Sequence, residues 1–427
     1  MSRLIVRNKS GSRVAFMSLL VLLLVPVFGA CESTDEGGEG ERFVFEAECR
    51  GNGLWLVKKD TKYDLIKEEG PAQVPPGKTC DEVEDYESGG LARLNRTGDW
   101  KVYFTESTAL NWEGPYVDGK RQGVWKNYTS DGKLLKSVTY ANDKLNGQEI
   151  VYFPGTQEWK ERGDNVNALR SGRWEIRHAL NSDCISSGSF HEGYKSGEWE
   201  ECSRNEETGK WFVSFKGNYS SGLRDGPVKL FHPNGELLGE GNYYADSACL
   251  ANPPQGEREN CGKRFGSWKI FFPDGNLAME GQYSRETGKR SGTWTEYYQT
   301  GEKMSSGNRE HTRMGWWTFW EKNGQVAARF RFDGNDFSPV EWEQYENGRM
   351  VGKGEVAAGL VQFDVKTDSL KITWPRQNGM WTVYGPGGAK IAEGEMVMGK
   401  KNGEWKELSG GSWRTNCYMI GMERPCN

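Results

Sequence analysis

Tryptophan recurs in this chain at a nearly fixed interval, and that interval constrains the fold more than any other feature. The phrase GVWKNYTSDGKLL, Gly123 to Leu135, returns in altered form along most of the sequence. Aligned copies begin at Gly98, Gly123, Gly147, Gly172, Gly197, Gly226, Gly266, Gly292, Gly315, Val340, Gly379 and Gly403. Their spacing stays close to 25 residues, except for 40 between Gly226 and Gly266 and 39 between Val340 and Gly379. In ten of the twelve copies the third residue is tryptophan: Trp100, Trp125, Trp174, Trp199, Trp268, Trp294, Trp317, Trp342, Trp381 and Trp405, with Glu149 and Val228 the exceptions. Chance placement of 18 tryptophans among 427 residues would put fewer than one there. The period is real, and it marks an array of small supersecondary units.

Three residues after the tryptophan most copies carry a second aromatic, as at Tyr103, Tyr128, Phe231, Phe271, Tyr297 and Trp320. A turn glycine follows, in SDG at Gly132, PNG at Gly235, PDG at Gly275 and NG at Gly324. Glycine accepts positive φ without a Cβ clash, so these dipeptides suit tight hairpin turns. Short apolar runs after the turn, such as LLKSVTY and LLGEGNYY, read as return strands. A lone hairpin is marginal in water, so each unit has to continue the sheet of its neighbours. The expected fold is all-β: an elongated antiparallel sheet of about twelve stacked β-hairpins over residues 98–427, with a C-terminal cap. Tryptophans of adjacent units are expected side by side in an aromatic ladder. A small disulfide-linked module, residues 42–97, precedes the array.

Residues 1–30 hold Arg3, Arg7, Lys9 and Arg13, then an apolar run from Val14 to Ala30, with no acid. This reads as an export signal rather than fold. The run falls short of the roughly 20 apolar residues that span a bilayer. Phe28-Gly29-Ala30-Cys31 resembles the bacterial lipobox, which implies lipid attachment to Cys31 and a membrane partner through that lipid. Residues 31–41 (ESTDEGGEGE from Glu32) lack apolar content and read as a flexible acidic tether. Glu32 after the anchor, in place of Asp, favours the outer membrane by the same resemblance.

Eight cysteines remain, an even number that suits disulfides in an exported chain. Cys184 and Cys202 fall on neighbouring strands of consecutive units, Cys249 and Cys261 bound the long insertion, Cys417 and Cys426 fasten the C-terminal end, and Cys49 and Cys80 lie in the N-terminal module. There is no C-x-x-C pair, and His178, His191, His232 and His311 are scattered, so neither metal nor cofactor is expected. Removal of the four basic signal residues takes the net charge from −5 to −9, and no Lys/Arg run tracks a phosphate backbone. Nucleic acid is therefore not an expected partner.

Laid out as G-x-W-x-x-Y…(D/N)-G-x-L…G-x-Y, the phrase resembles the bacterial variant of the MORN-repeat family (membrane occupation and recognition nexus), from Gly98 to about Met419. The resemblance implies antiparallel hairpins in an extended sheet. It also brings in an antitoxin-like or immunity role, neutralising a toxin, which the export signal and paired cysteines would move out of the cytoplasm.

Motifs of phosphate loops, nucleophile elbows and zinc-protease helices are absent. Neighbouring acids such as Glu200-Glu201 and Glu206-Glu207 would point to opposite faces of a strand. The expectation is a non-catalytic, envelope-anchored lipoprotein whose array offers a binding or scaffold surface to a protein or cell-wall polysaccharide. A polysaccharide-active enzyme with unplaced acids is the remaining alternative. The stretch GWWTFWEKNG departs from its repeat by placing Trp316 where other copies hold mostly polar residues. Trp316, Trp317, Phe319 and Trp320 are its binding candidates, as a platform for a sugar ring or a partner protein.

Overall fold

The computed structural model describes residues 43–51, 53–251, 261–357, 360–364, 369–373 and 376–426. The proposed signal, the tether and Cys31 lie outside them, as does most of the loop between Cys249 and Cys261. Twenty-nine strands form one antiparallel sheet. It is a meander: Gly98–Tyr103 pairs with Leu110–Val117, Gly123–Tyr128 with Leu134–Ala141, and each return strand pairs onward with the next outgoing one. Turns within units use the predicted glycines, with φ of 80° at Gly132 and 90° at Gly235. Turns between units are as tight. At Asp118-Gly119 and Ser221-Gly222 both residues have positive φ, the conformation that matches strand twist in two-residue hairpins.

The two long spacings have different causes. The first holds the short helix Ser247–Ala251 and the Cys249–Cys261 bridge. The second holds a separate hairpin, Leu360–Asp364 with Ser369–Thr373, while Arg349–Ala357 pairs directly with Arg376–Tyr384 beyond it.

One contact explains why tryptophan and glycine both recur. Trp294 lies so close over Gly281, on the return strand before it, that a Cβ there would meet ring atoms at 2.3 Å. The same holds for Gly70 under Trp100, Gly114 under Trp125, Gly163 under Trp174, Gly188 under Trp199, Gly241 under Trp268, Gly307 under Trp317, Gly354 under Trp381 and Gly394 under Trp405. In each pair the indole N–H donates to the carbonyl of the residue after the glycine, as from Trp294 to Gln282 at 3.1 Å and Trp199 to Ser189 at 2.9 Å. Pairing register shifts at or beside many of these glycines, including Gly188, Gly281 and Gly307. The bulge and the missing side chain together let the ring lie flat on the backbone.

The exceptions obey the same sterics. Of the two units without tryptophan, the one with Glu149 has Val138 in the glycine position, whereas the one with Val228 keeps Gly217, over which the valine side chain packs as closely as an indole. Phe330 stands in the glycine position before Trp342, whose ring packs against the phenyl at 6.0 Å instead of on bare backbone. All ten repeat tryptophans are 0–6 % exposed.

The aromatic ladder differs from the sequence reading. A return strand separates successive outgoing strands, so its Tyr or Phe ring stands between the indoles. Trp100, Tyr116 and Trp125 meet edge-to-face at 5.8 and 5.1 Å, and Trp268, Tyr283 and Trp294 at 5.8 and 5.4 Å. Trp342 and Trp381 touch directly, at 5.7 Å. Each such ring contact contributes roughly 0.5–1.5 kcal/mol beyond area burial.

The N-terminal module continues the same sheet. Phe43–Arg50, Gly53–Asp60 and Leu65–Ala72 form a meander that joins the array where Glu69 faces Lys101. Leu54, Leu56, Val83 and Leu91 share a core with Trp100 and Trp125. The first strand is covered by two short helices, Cys80–Glu84 and Ser88–Leu91, and Phe45 N–H donates to Ser88 Oγ at 2.9 Å. At the other end the short strand Met422–Arg424 and the Cys417–Cys426 bridge close the sheet. The helices at the first edge and the three-residue length of the last strand limit pairing with other chains.

All four disulfides join the pairs read from the sequence: Cys49–Cys80, Cys184–Cys202, Cys249–Cys261 and Cys417–Cys426. Cys184–Cys202 closes 18 residues across two consecutive units and is buried. Replacing both cysteines by serine is expected to cost about 3 kcal/mol. Urea unfolding without reductant should show that loss in the variant relative to the wild type, with the other three disulfides intact in both.

Candidate binding surfaces

The sheet has two chemically distinct faces. On the indole face a basic residue two before most unit glycines lies over a ring: the guanidinium of Arg170 is 4.0 Å from the centroid of Trp174, Arg96 is 4.5 Å from Trp100, and Lys195 is 4.4 Å from Trp199. These cations roof rings that a single-layer sheet would otherwise expose. Most have a carboxylate beside them. Arg96 meets Glu68 at 2.7 Å, Arg121 meets Asp143 at 3.2 Å, and Arg170 meets Glu161 at 2.7 Å, while Lys195 and Arg224 share Glu201 and Lys401 meets Glu407.

A denser version occupies the middle of this face. Arg309 stands where an interleaving ring is usual, and Glu296 accepts from Arg309 at 2.9 Å, Arg313 at 3.0 Å and Ser305 at 2.7 Å. Asp336 completes the group at 2.7 Å from Arg309. Burial alone would raise the pKa of Glu296, but the two guanidinium groups outweigh it and hold the carboxyl below its ordinary range.

The opposite face carries a row of side chains in cross-strand register: Glu69, Lys101, Glu113 and Lys126 at one end, then Glu200, Lys216, Lys229, Glu240, Lys269 and Glu280 farther along. Opposite charges mostly alternate, as stability requires. Tyrosines join the acids: Tyr128 donates to Glu113 and Tyr297 to Glu280, and burial with those bonds pushes both phenols up to about 12.

The alternation breaks where Lys216 stands directly opposite Lys229. Lys216 meets Glu200 at 2.8 Å. Here a groove of about 710 Å³ runs across adjacent hairpins, with Lys216, Lys229 and Lys269 and the acids Glu198, Glu200 and Glu240 in its lining. Lys216 is paired with Glu200 and Lys229 stands opposite Glu240, so the groove is a concave surface of mixed charge spread over adjacent repeats, and on that ground it is the leading candidate for binding.

The four aromatic candidates do not form one platform. Trp317 and Phe319 are 0 % exposed and belong to the core. Strand alternation turns Trp316 to the other face, half-buried, with the Arg329 guanidinium 5.4 Å from its ring. Trp320 is half-buried, and its carbonyl accepts from the Tyr298 hydroxyl at 2.7 Å. Only Trp316 and Trp320 of the four offer ring surface.

Glu200 and Glu201 do separate, the first to Lys216 and the second to Lys195 on the indole face. His178 Nε2 is 2.8 Å from Ser186 Oγ, but that oxygen accepts from Cys202 N–H and the imidazole stacks on Trp211 at 4.4 Å, a structural arrangement. Cys49, Asp81 and Glu84 converge, yet the Cys49 sulfur is already in a disulfide. No helix among the described residues is long and apolar enough to cross a membrane.

Residues 121–142, 224–243 and 266–285 match the MORN repeat variant. Two of these MORN segments begin on a roofing cation, Arg121 or Arg224, and the first two end near the turn between units, so they include the cation, the third position, the hairpin turn and the interleaving tyrosine. The third begins at the unit glycine Gly266. No curated protein matches the chain.

Proposed function

We propose that this chain is a bacterial envelope lipoprotein, tethered through Cys31 at the outer membrane, whose MORN-type array binds another envelope component without turning it over. The groove at Lys216, Lys229 and Lys269 carries this reading, because it is a concave surface that spans adjacent repeats and brings charged side chains of both signs together. Four disulfides support it too, since such bonds persist in oxidising compartments. The partner is a protein or a cell-wall polysaccharide, held by a surface spread over several repeats.

Two measurements test the proposal in intact cells. A clickable fatty acid should label the protein through Cys31 and leave Cys31→Ser unlabelled. A photo-crosslinker at Asn218 should give a discrete adduct that is lost when Lys216 and Lys229 are both changed to Glu. An unlabelled wild type overturns the anchor, and an adduct indifferent to the charge reversal overturns the groove.

A further inference from the structure

Within the row of cations over the indoles, two adjacent members differ from the rest. Arg264 and Arg290 stand 4.5 and 4.7 Å from the centroids of Trp268 and Trp294, in the same place as their counterparts. Neither has a carboxylate within ion-pair distance among the described residues. Arg264 instead donates to the hydroxyls of Tyr243 at 3.2 Å and Tyr283 at 3.1 Å.

The cause is in the sequence. Elsewhere the acid comes from two residues after the tryptophan, as with Glu201, Glu296 and Glu407, from two before the covered glycine, as with Glu68 and Glu161, or, for Arg121, from Asp143 in the turn between units. Around Arg264 and Arg290 the strand positions hold Ile270, Gly239 and Met279, and the acid two residues after Trp294, Glu296, is engaged by Arg309 and Arg313.

We propose that Arg264, Arg290 and the Tyr283 hydroxyl between them form a binding site for a carboxylate supplied from outside the chain, by an acidic segment of a partner polypeptide. The fold itself shows what this cation takes: at Arg96, Arg121, Arg170, Lys195, Arg224, Arg313 and Lys401 it is a glutamate or aspartate side chain. Arg264, Arg290 and Tyr283 are all half-buried, which leaves them open to a ligand while weakening competition from water. Tyr283 carries the imprint of this excess charge. Burial would raise its pKa, as it does for Tyr116 and Tyr140, but Arg264 and Arg290 bring it below the ordinary phenol value. The site lies on the indole face, so it is independent of the lysine groove and of any anchoring.

The test uses the purified full-length chain and a short capped peptide of alternating Gly and Glu, with the Gly and Gln peptide as its control. Calorimetry should show binding of the Glu peptide only, weakened at least about tenfold in R264Q/R290Q. R170Q removes a cation that already has its acid and should leave the affinity unchanged. Ile270→Glu supplies the missing internal carboxylate, so it should abolish peptide binding without lowering the melting temperature, and it decides the matter even if the double variant unfolds. Equal binding of the two peptides, equal weakening by R170Q, or unchanged binding in Ile270→Glu would each overturn the site.

Discussion

Gly281→Ala will destabilise its region of the array by about 3 kcal/mol, the upper part of the usual range for overpacking. Alanine is the smallest possible change, and in an ordinary strand it would be neutral or favourable. Here its Cβ would sit 2.3 Å from the ring of Trp294, with Tyr283 against one side of that ring, the Arg290 guanidinium 4.7 Å from its centroid, and the indole N–H bonded to Gln282. The ring cannot tilt away without losing that hydrogen bond. Gly235→Ala, at a turn with open space around it, supplies the contrast: it strains φ at 90° but meets no side chain. Urea titration followed by tryptophan fluorescence should separate the two, with the indole signal perturbed in the native state only for Gly281→Ala.

Glu296→Gln is expected to cost about 3–5 kcal/mol, because it leaves Arg309 and Arg313 buried with half their compensating charge. The Asp336 carboxylate then still pairs with the Arg309 guanidinium and accepts the Arg313 backbone N–H, while the Arg313 guanidinium keeps its bond to the Asp336 carbonyl. The pH dependence follows from the sign of the shift. The folded-state pKa of Glu296 lies below its ordinary value of 4.5, so its contribution is fully present above that value and is lost as pH falls through the folded pKa. Acid titration should therefore show a larger fall in stability below about pH 4.5 in the wild type than in the glutamine variant, which keeps only the contributions of other paired carboxylates such as Glu201 and Glu407.

Much of the architecture is written locally. Trp125 and the SDG turn fix where a hairpin begins and reverses, and the cysteine positions mark which strands are neighbours. The roofing cations were equally legible, two residues before Gly98, Gly123, Gly172, Gly197, Gly226, Gly266, Gly292, Gly315 and Gly403. They escape a reading that follows aromatic residues alone. The face of Trp316 was legible as well, since its neighbour Trp317 is a core residue and strand side chains alternate.

The groove was not legible. Whether Lys216 faces Lys229 depends on register across the turn between units, and pairing shifts between Gly217 and Tyr219. A single bulged residue changes every cross-strand partner beyond it. Asp336 is equally hidden, because it lies 27 residues from Arg309 and reaches it through a loop outside the repeat pattern. The hairpin formed by Leu360–Asp364 and Ser369–Thr373 appears in the sequence only as a long gap.

Whether adjacent hairpins are held together by a tryptophan seated on bare backbone is tested most directly by a double-mutant cycle between Gly281 and Trp294, read as unfolding free energy. If the seat is real, Gly281→Ala costs about 3 kcal/mol beside the indole and under about 1 kcal/mol in a Trp294→Val background, leaving a coupling of roughly 2 kcal/mol. Additive losses, with the alanine equally harmful whether or not the ring is there, would contradict it.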